Sequence, residues 1–157
     1  MFRPDFITEQ RLGCRLAIAS KKRLLETLAS LLAADHPRLD ADLVFDCLLE
    51  RERLGSTGLG HGIALPHARV KEVTQSIGAF VSLSQGVDYD AVDGEPVDLA
   101  FALLVPEAAT DEHLQLLAQL AGRFNDPQVR KRLREADSPS AILRVFSGHQ
   151  PSTGADP

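Results

Sequence analysis

Residues 99–105 read LAFALLV, and no position in that run is polar. Successive side chains of a β-strand point to opposite faces of its sheet, so this segment presents apolar groups on both. Such a strand belongs in the middle of a sheet that is covered on each side. The strand is expected over residues 97–105, after a turn at Asp93-Gly94, with "VDYDAV" before that turn reading as another strand. "SIGAFVSLS" reads as a strand as well, because Ile77, Ala79, Val81 and Leu83 alternate with smaller or polar residues. "CRLAIAS" is a short one, with Cys14, Leu16 and Ile18 expected on one side.

Helical segments supply the cover. Ser20 is placed to cap "KKRLLETLASLLAAD", whose Leu24, Leu25, Leu28, Leu31 and Leu32 form one apolar face. A second helix begins near Asp40, buries Val44, Cys47 and Leu48, and stops at Gly55. Thr110 caps "DEHLQLLAQLAGRF", Pro127 sits in the first turn of "PQVRKRLREA", and Ser138-Pro139 opens "SAILRVF". Helices before, between and after the strands give an α/β class: a single three-layer α/β sandwich with a mixed β-sheet. A length of 157 residues with 44% hydrophobic content suits one such domain. The final "GHQPSTGADP" has little to bury and is expected to be disordered.

Several function classes are excluded. A formal net charge of −5 argues against a nucleic-acid surface, and the short basic cluster "RKRLRE" reads as a solvated helix face. The N-terminus has no apolar signal core, and no apolar run approaches the roughly 20 residues that span a bilayer. A cytoplasmic location without membrane insertion is expected. Cys14 and Cys47 have no metal-type spacing and read as reduced thiols.

The stretch "GSTGLGHGIALPHAR" spans residues 55–69 and concentrates the chemistry. Its glycines permit close approach to the backbone, and consecutive N–H groups in such a segment can line an anion site. Ser56 and Thr57 add hydroxyls, and Arg51 and Arg53 lie just upstream. No Lys-Ser/Thr follows the glycines, so a P-loop is excluded, and the absence of the G-x-G-x-x-G spacing argues against coenzyme binding. His67 sits behind Pro66, which stiffens its support. A neutral imidazole there suits nucleophilic attack on phosphorus, since its ordinary pKa is about 6.5. The competing reading is a histidine that satisfies a carbonyl in a turn. His113, near the start of its helix and on the stripe of Leu117, Leu120 and Phe124, is either a packed core residue or a support for a bound phosphoryl group.

Taken together, "GSTGLGHGIALPHAR", "DAVDGEPVDLAFALLVP" and "DEHLQLL" resemble the IIA domains of the fructose–mannitol class of the bacterial phosphotransferase system. The resemblance is strongest to the stand-alone nitrogen-regulatory branch and covers residues 8–147, leaving 148–157 as the tail. It implies that His67 is phosphorylated by an HPr-like phosphocarrier (NPr), a protein donor, so that no small-molecule cofactor is expected. It also implies that His113 is a second active-site histidine, that Arg51 assists, and that Ser56 and Thr57 lie beside the phosphoryl site. Potassium-transport and sensor-kinase components are the partners it suggests. The chain departs from the family pattern at His61, where asparagine is usual. That change is either a surface substitution or a third imidazole near the site; no ligand spacing supports a metal. Two alternatives stay open: a IIA subunit passing phosphate to a sugar-transporter IIB domain, and a binding module that has lost the chemistry. The absence of IIB, IIC or HPr segments favours regulation over sugar transport.

Overall fold

The computed structural model describes residues 5–108 and 110–148. Apart from Gly148, the stretch expected as a disordered tail lies outside them.

Strand β1 (Leu12–Leu16) leads into α1 (Lys21–Ala34) and α2 (Ala41–Arg53). Ser20 accepts a hydrogen bond from the Arg23 amide and Asp40 from that of Asp42, so both helices start where their caps predict. Three short strands follow, β2 (Gly58–Gly60), β3 (Ile63–Ala64) and β4 (His67–Val70). Two long ones come next, β5 (Ile77–Val87) and β6 (Val97–Pro106). The chain closes with α3 (Thr110–Phe124), α4 (Pro127–Glu135) and α5 (Pro139–Phe146). Thr110 is the first residue of α3, and its side chain lies outside the described part.

The sheet is mixed, in the order β1-β5-β6-β3-β2, with β4 also paired to β6. β5 runs antiparallel to β6, whereas β3 and β4 lie parallel to it, one beyond the other. Alternate residues of β6 serve two cores, which is what the LAFALLV run demands. Ala100, Ala102 and Leu104 pack under Leu24, Leu28 and Leu32 of α1 and Val44 and Leu48 of α2. Leu99, Phe101 and Leu103 pack under Leu120 of α3, Leu133 of α4 and Ile142 of α5. The small alanines let the first pair of helices approach closely. On the other face Phe80, Phe101, Phe124 and Phe146 fill the space with ring centroids 5.2 to 6.5 Å apart. Each such buried ring contributes about 1.5–3 kcal/mol.

Three local expectations need correcting. β1 lies two residues earlier than "CRLAIAS", and Arg15 takes φ +53° within a register shift between Gly13 and Leu16. That irregularity turns the strand over, so Cys14 joins the α3–α5 side while Leu16 and Ile18 join the α1–α2 side. "VDYDAV" is a loop beyond Val87 rather than a strand, and its Tyr89 is fully buried. Cys47 is half-buried at the margin of its core rather than enclosed by it.

Candidate functional site

β3 and β4 are in effect one strand along β6, broken at Leu65-Pro66. Ile63 and Ala64 pair with Leu99 and Ala100, and His67 and Ala68 with Leu103 and Leu104. Pro66 has no N–H to give the ladder, but its carbonyl accepts from the Leu103 amide at 2.9 Å. Leu65 is turned out of the ladder. Its N–H donates to the Thr57 carbonyl at 3.0 Å, and its own carbonyl lies 2.8 Å from His67 Nδ1. A carbonyl only accepts, so Nδ1 carries the proton. The other nitrogen, Nε2, receives the Nε–H of Arg51 at 3.2 Å, and a guanidinium only donates. Both contacts select the same neutral tautomer, with the lone pair on Nε2.

Arg51 comes from the last turn of α2 and is braced by a bond from Nη1 to the Gly55 carbonyl at 3.0 Å. From the opposite side α3 brings His113, whose ring meets that of His67 edge-on, centroids 5.2 Å apart at 71°. His113 is 8% exposed and its Nε2 is buried without a hydrogen-bond partner. These three side chains line an open cleft of about 610 Å³ together with Glu50, Arg53 and Arg69. A chain of net charge −5 thus gathers three guanidinium groups around one half-buried imidazole.

Burial is the main cause that holds the His67 pKa below 6.5, and Arg51 acts in the same sense. The Leu65 carbonyl and the charge of Glu52 oppose it. His113 is lowered chiefly by burial, and further by His67, Arg69 and Arg51. Both rings therefore favour the uncharged form, which a nucleophile toward phosphorus requires.

His67, His113 and Arg51 are brought together; the two hydroxyl residues are not. Thr57 is buried, and its Oγ1 donates to Glu52 Oε1 at 2.6 Å and lies 3.1 Å from the Tyr89 hydroxyl. Ser56 Oγ accepts from the Gly58 amide at 3.1 Å and lies 3.4 Å from the Tyr89 carbonyl. Neither lines the cleft. They shape the glycine segment instead, where Gly58 passes so close to Ala91 that a Cβ would stand 2.7 Å from the Ala91 Cβ. His61 also stands apart. It occupies φ +57°, a conformation that histidine tolerates better than most residues, and it is tied by its N–H to Asp93 and by its carbonyl to Arg134. Among the described residues no three His, Cys, Asp or Glu side chains are grouped to hold a metal ion. None of the described helices is long and apolar enough to cross a membrane.

Two contributors escaped the sequence reading. Arg69 shares the His67 face of β4, a consequence of two-residue alternation that was there to be used. Glu52 lies within "RERL" and looks like a solvated charge, yet it is 6% exposed; nothing local marks it.

The family model for the phosphoenolpyruvate-dependent sugar phosphotransferase system, EIIA 2, matches residues 5–149. The chain is 51% identical over 126 residues to a nitrogen regulatory protein of Pseudomonas aeruginosa, covering 80% of this chain and 82% of that protein. It is 42% identical over 141 residues to the nitrogen regulatory protein of Escherichia coli K12, covering 89% and 83% respectively. The crystal structure of nitrogen regulatory protein IIA-Ntr from Neisseria meningitidis superimposes with a TM-score of 0.84 at 42% identity, covering 90% of this chain and 96% of that one. A mixed sheet between two helical layers is thus a shared architecture, and the chain belongs to the EIIA type-2 family of the phosphotransferase system.

Proposed function

We propose that this chain is a phosphohistidine carrier of a nitrogen-related phosphotransferase system. Its functional unit spans residues 8–147, and it acts in the cytoplasm. His67 accepts a phosphoryl group from an HPr-like carrier, and partner proteins respond to whether that group is present. The observation that carries the reading is the His67 tautomer: Nδ1 donates to Leu65, and Nε2 keeps its lone pair at the cleft beside Arg51 and His113.

The transfer balances without proton movement on the acceptor. The Nε2 lone pair forms the new N–P bond as the donor's N–P bond breaks, its electron pair returning to the donor imidazole. Nδ1 keeps its proton throughout. The loose transition state leaves the protein the tasks of positioning and charge stabilisation. Arg51 and Arg69 bring positive charge to the cleft, and His113 offers a ring nitrogen that no protein group uses. The bound phosphoryl adds about 1.5–2 negative charges, judged from phosphoserine, and so largely cancels the positive charge of the cleft that a partner reads. Potassium-transport and sensor-kinase components are the partner class proposed.

The test starts from protein phosphorylated by phosphoenolpyruvate, the system's kinase and the HPr-like carrier. This is then mixed with IIB domains of fructose and mannitol transporters. Retention of the phosphoryl group on this chain is expected; rapid passage to a IIB cysteine would make it a sugar-transport subunit instead.

A further inference from the structure

The Glu52 carboxylate is buried, yet its two oxygens face four donors. Oε2 accepts from the Thr57 amide at 2.9 Å and from Lys21 Nζ at 3.0 Å. Oε1 accepts from Thr57 Oγ1 at 2.6 Å and from the Tyr89 hydroxyl at 3.2 Å. Lys21 Nζ lies 4.4 Å from the centre of the Tyr89 ring, so the counter-charge is held over an aromatic face. Burial raises the Glu52 pKa, but the Thr57 bonds and Lys21 outweigh it and keep the group ionised. Removing any one of these partners would leave a buried charge uncompensated, so the carboxylate holds them, Thr57 included, firmly in place.

That geometry leads to the imidazole. Thr57, gripped twice by Glu52, accepts at its carbonyl from the Leu65 amide at 3.0 Å, and the Leu65 carbonyl accepts from His67 Nδ1 at 2.8 Å. Glu52 adjoins Arg51, which takes the other ring nitrogen. Two consecutive residues at the end of α2 therefore govern the two nitrogens of one ring, Arg51 directly and Glu52 through Thr57 and Leu65.

We propose that Glu52 is a positioning residue for His67: by clamping Thr57 it fixes the Leu65 carbonyl that holds the ring in its Nδ1–H tautomer and aims Nε2 into the cleft. Its consequence for transfer rests on His67 being the phosphoryl acceptor. The neighbouring charge of Glu52 acts in the same direction as the Leu65 carbonyl, favouring the proton on the ring against burial and Arg51.

The experiment uses the intact chain with ¹⁵N-labelled histidine, unphosphorylated, comparing wild type, Glu52→Gln, Thr57→Val and Lys21→Gln. Gln keeps the volume of Glu52 and one acceptor, but loses the charge; Val keeps the Thr57 amide bond and loses the hydroxyl. In wild type the nitrogen shifts of His67 should report the Nδ1–H form. In Glu52→Gln and Thr57→Val they should move toward a mixture of tautomers, with phosphoryl acceptance slowed about ten- to a hundredfold, the scale of a misplaced reacting group. Lys21→Gln should lower thermal stability yet leave the tautomer in place, which separates positioning from general weakening. Thr57→Val keeps the test available if Glu52→Gln does not fold. Folded Glu52→Gln or Thr57→Val protein with unchanged His67 shifts and unchanged acceptance would overturn the proposal. A wild-type chain that accepts no phosphoryl group would instead overturn the functional reading, and the ring shifts alone would then decide whether Glu52 positions His67.

Discussion

Arg51 Nε stands 3.2 Å from His67 Nε2, so the nitrogen with the free lone pair is met by a guanidinium N–H before any substrate arrives. The same contact does two things. It fixes the ring, and it places a cation where phosphoryl oxygens would gather when phosphorus bonds to Nε2. On the proposed function, Arg51 would yield that position during transfer and then grip the product.

Replacing Arg51 with Met should slow phosphoryl acceptance by about two to three orders of magnitude, the cost of losing one preorganised donor at a charge-developing site. Removal of the cation should also raise the His67 pKa, because Arg51 now disfavours the protonated ring. Rate measurements together with an NMR titration check both. A rate loss without a pKa rise would mean that Arg51 acts on the partner rather than on the ring.

His113 gives a prediction of opposite sign for stability and activity. Its buried, unpartnered Nε2 carries a desolvation cost of about 1–3 kcal/mol. His113→Phe should therefore leave the melting temperature unchanged or higher while slowing acceptance. Unchanged transfer in a stabilised variant would reduce His113 to a packing residue.

Stability should fall with acid in two stages. His67 and His113 both have folded-state pKa values below 6.5, so as pH drops past that value the unfolded chain takes up protons that the folded chain refuses. The stability they contribute is present above pH 6.5 and lost as pH falls toward their folded values. Glu52, lowered from 4.5, adds a further decline of the same sign below that pH. Thermal melts from about pH 8 to about pH 3 check this, and His113→Phe should flatten the first stage. A melting temperature that rises on acidification through pH 6.5 would contradict the burial argument.

The central strand was legible because LAFALLV is short, follows a turn signal and is apolar at every position, which suits a strand that fills both faces of a covered sheet. Caps at Ser20, Asp40 and Ser138 were legible because they act within a single turn. The turnover of β1 at Arg15 was not, since a φ of +53° on arginine leaves no trace in composition. Nor were β2 and β3, whose two or three residues are too short for any period and are held by pairing. At the site, Nδ1 satisfies a turn carbonyl, as the competing reading of His67 has it, and that bond leaves the Nε2 lone pair to face Arg51. The resemblance places Thr57 beside the phosphoryl site, and nothing in the glycine segment shows that its hydroxyl has a partner elsewhere. Its partner, Glu52, lies five residues earlier and is revealed only once the segment folds back on α2.

The proposed function depends on His67 accepting the phosphoryl group. Wild type and His67→Ala, each incubated with phosphoenolpyruvate, the system's kinase and the HPr-like carrier, are compared by intact mass. Wild type should gain one acid-labile phosphoryl group; the variant, folded to the same degree by circular dichroism, should gain none. The same labile phosphoryl group on His67→Ala would contradict the account.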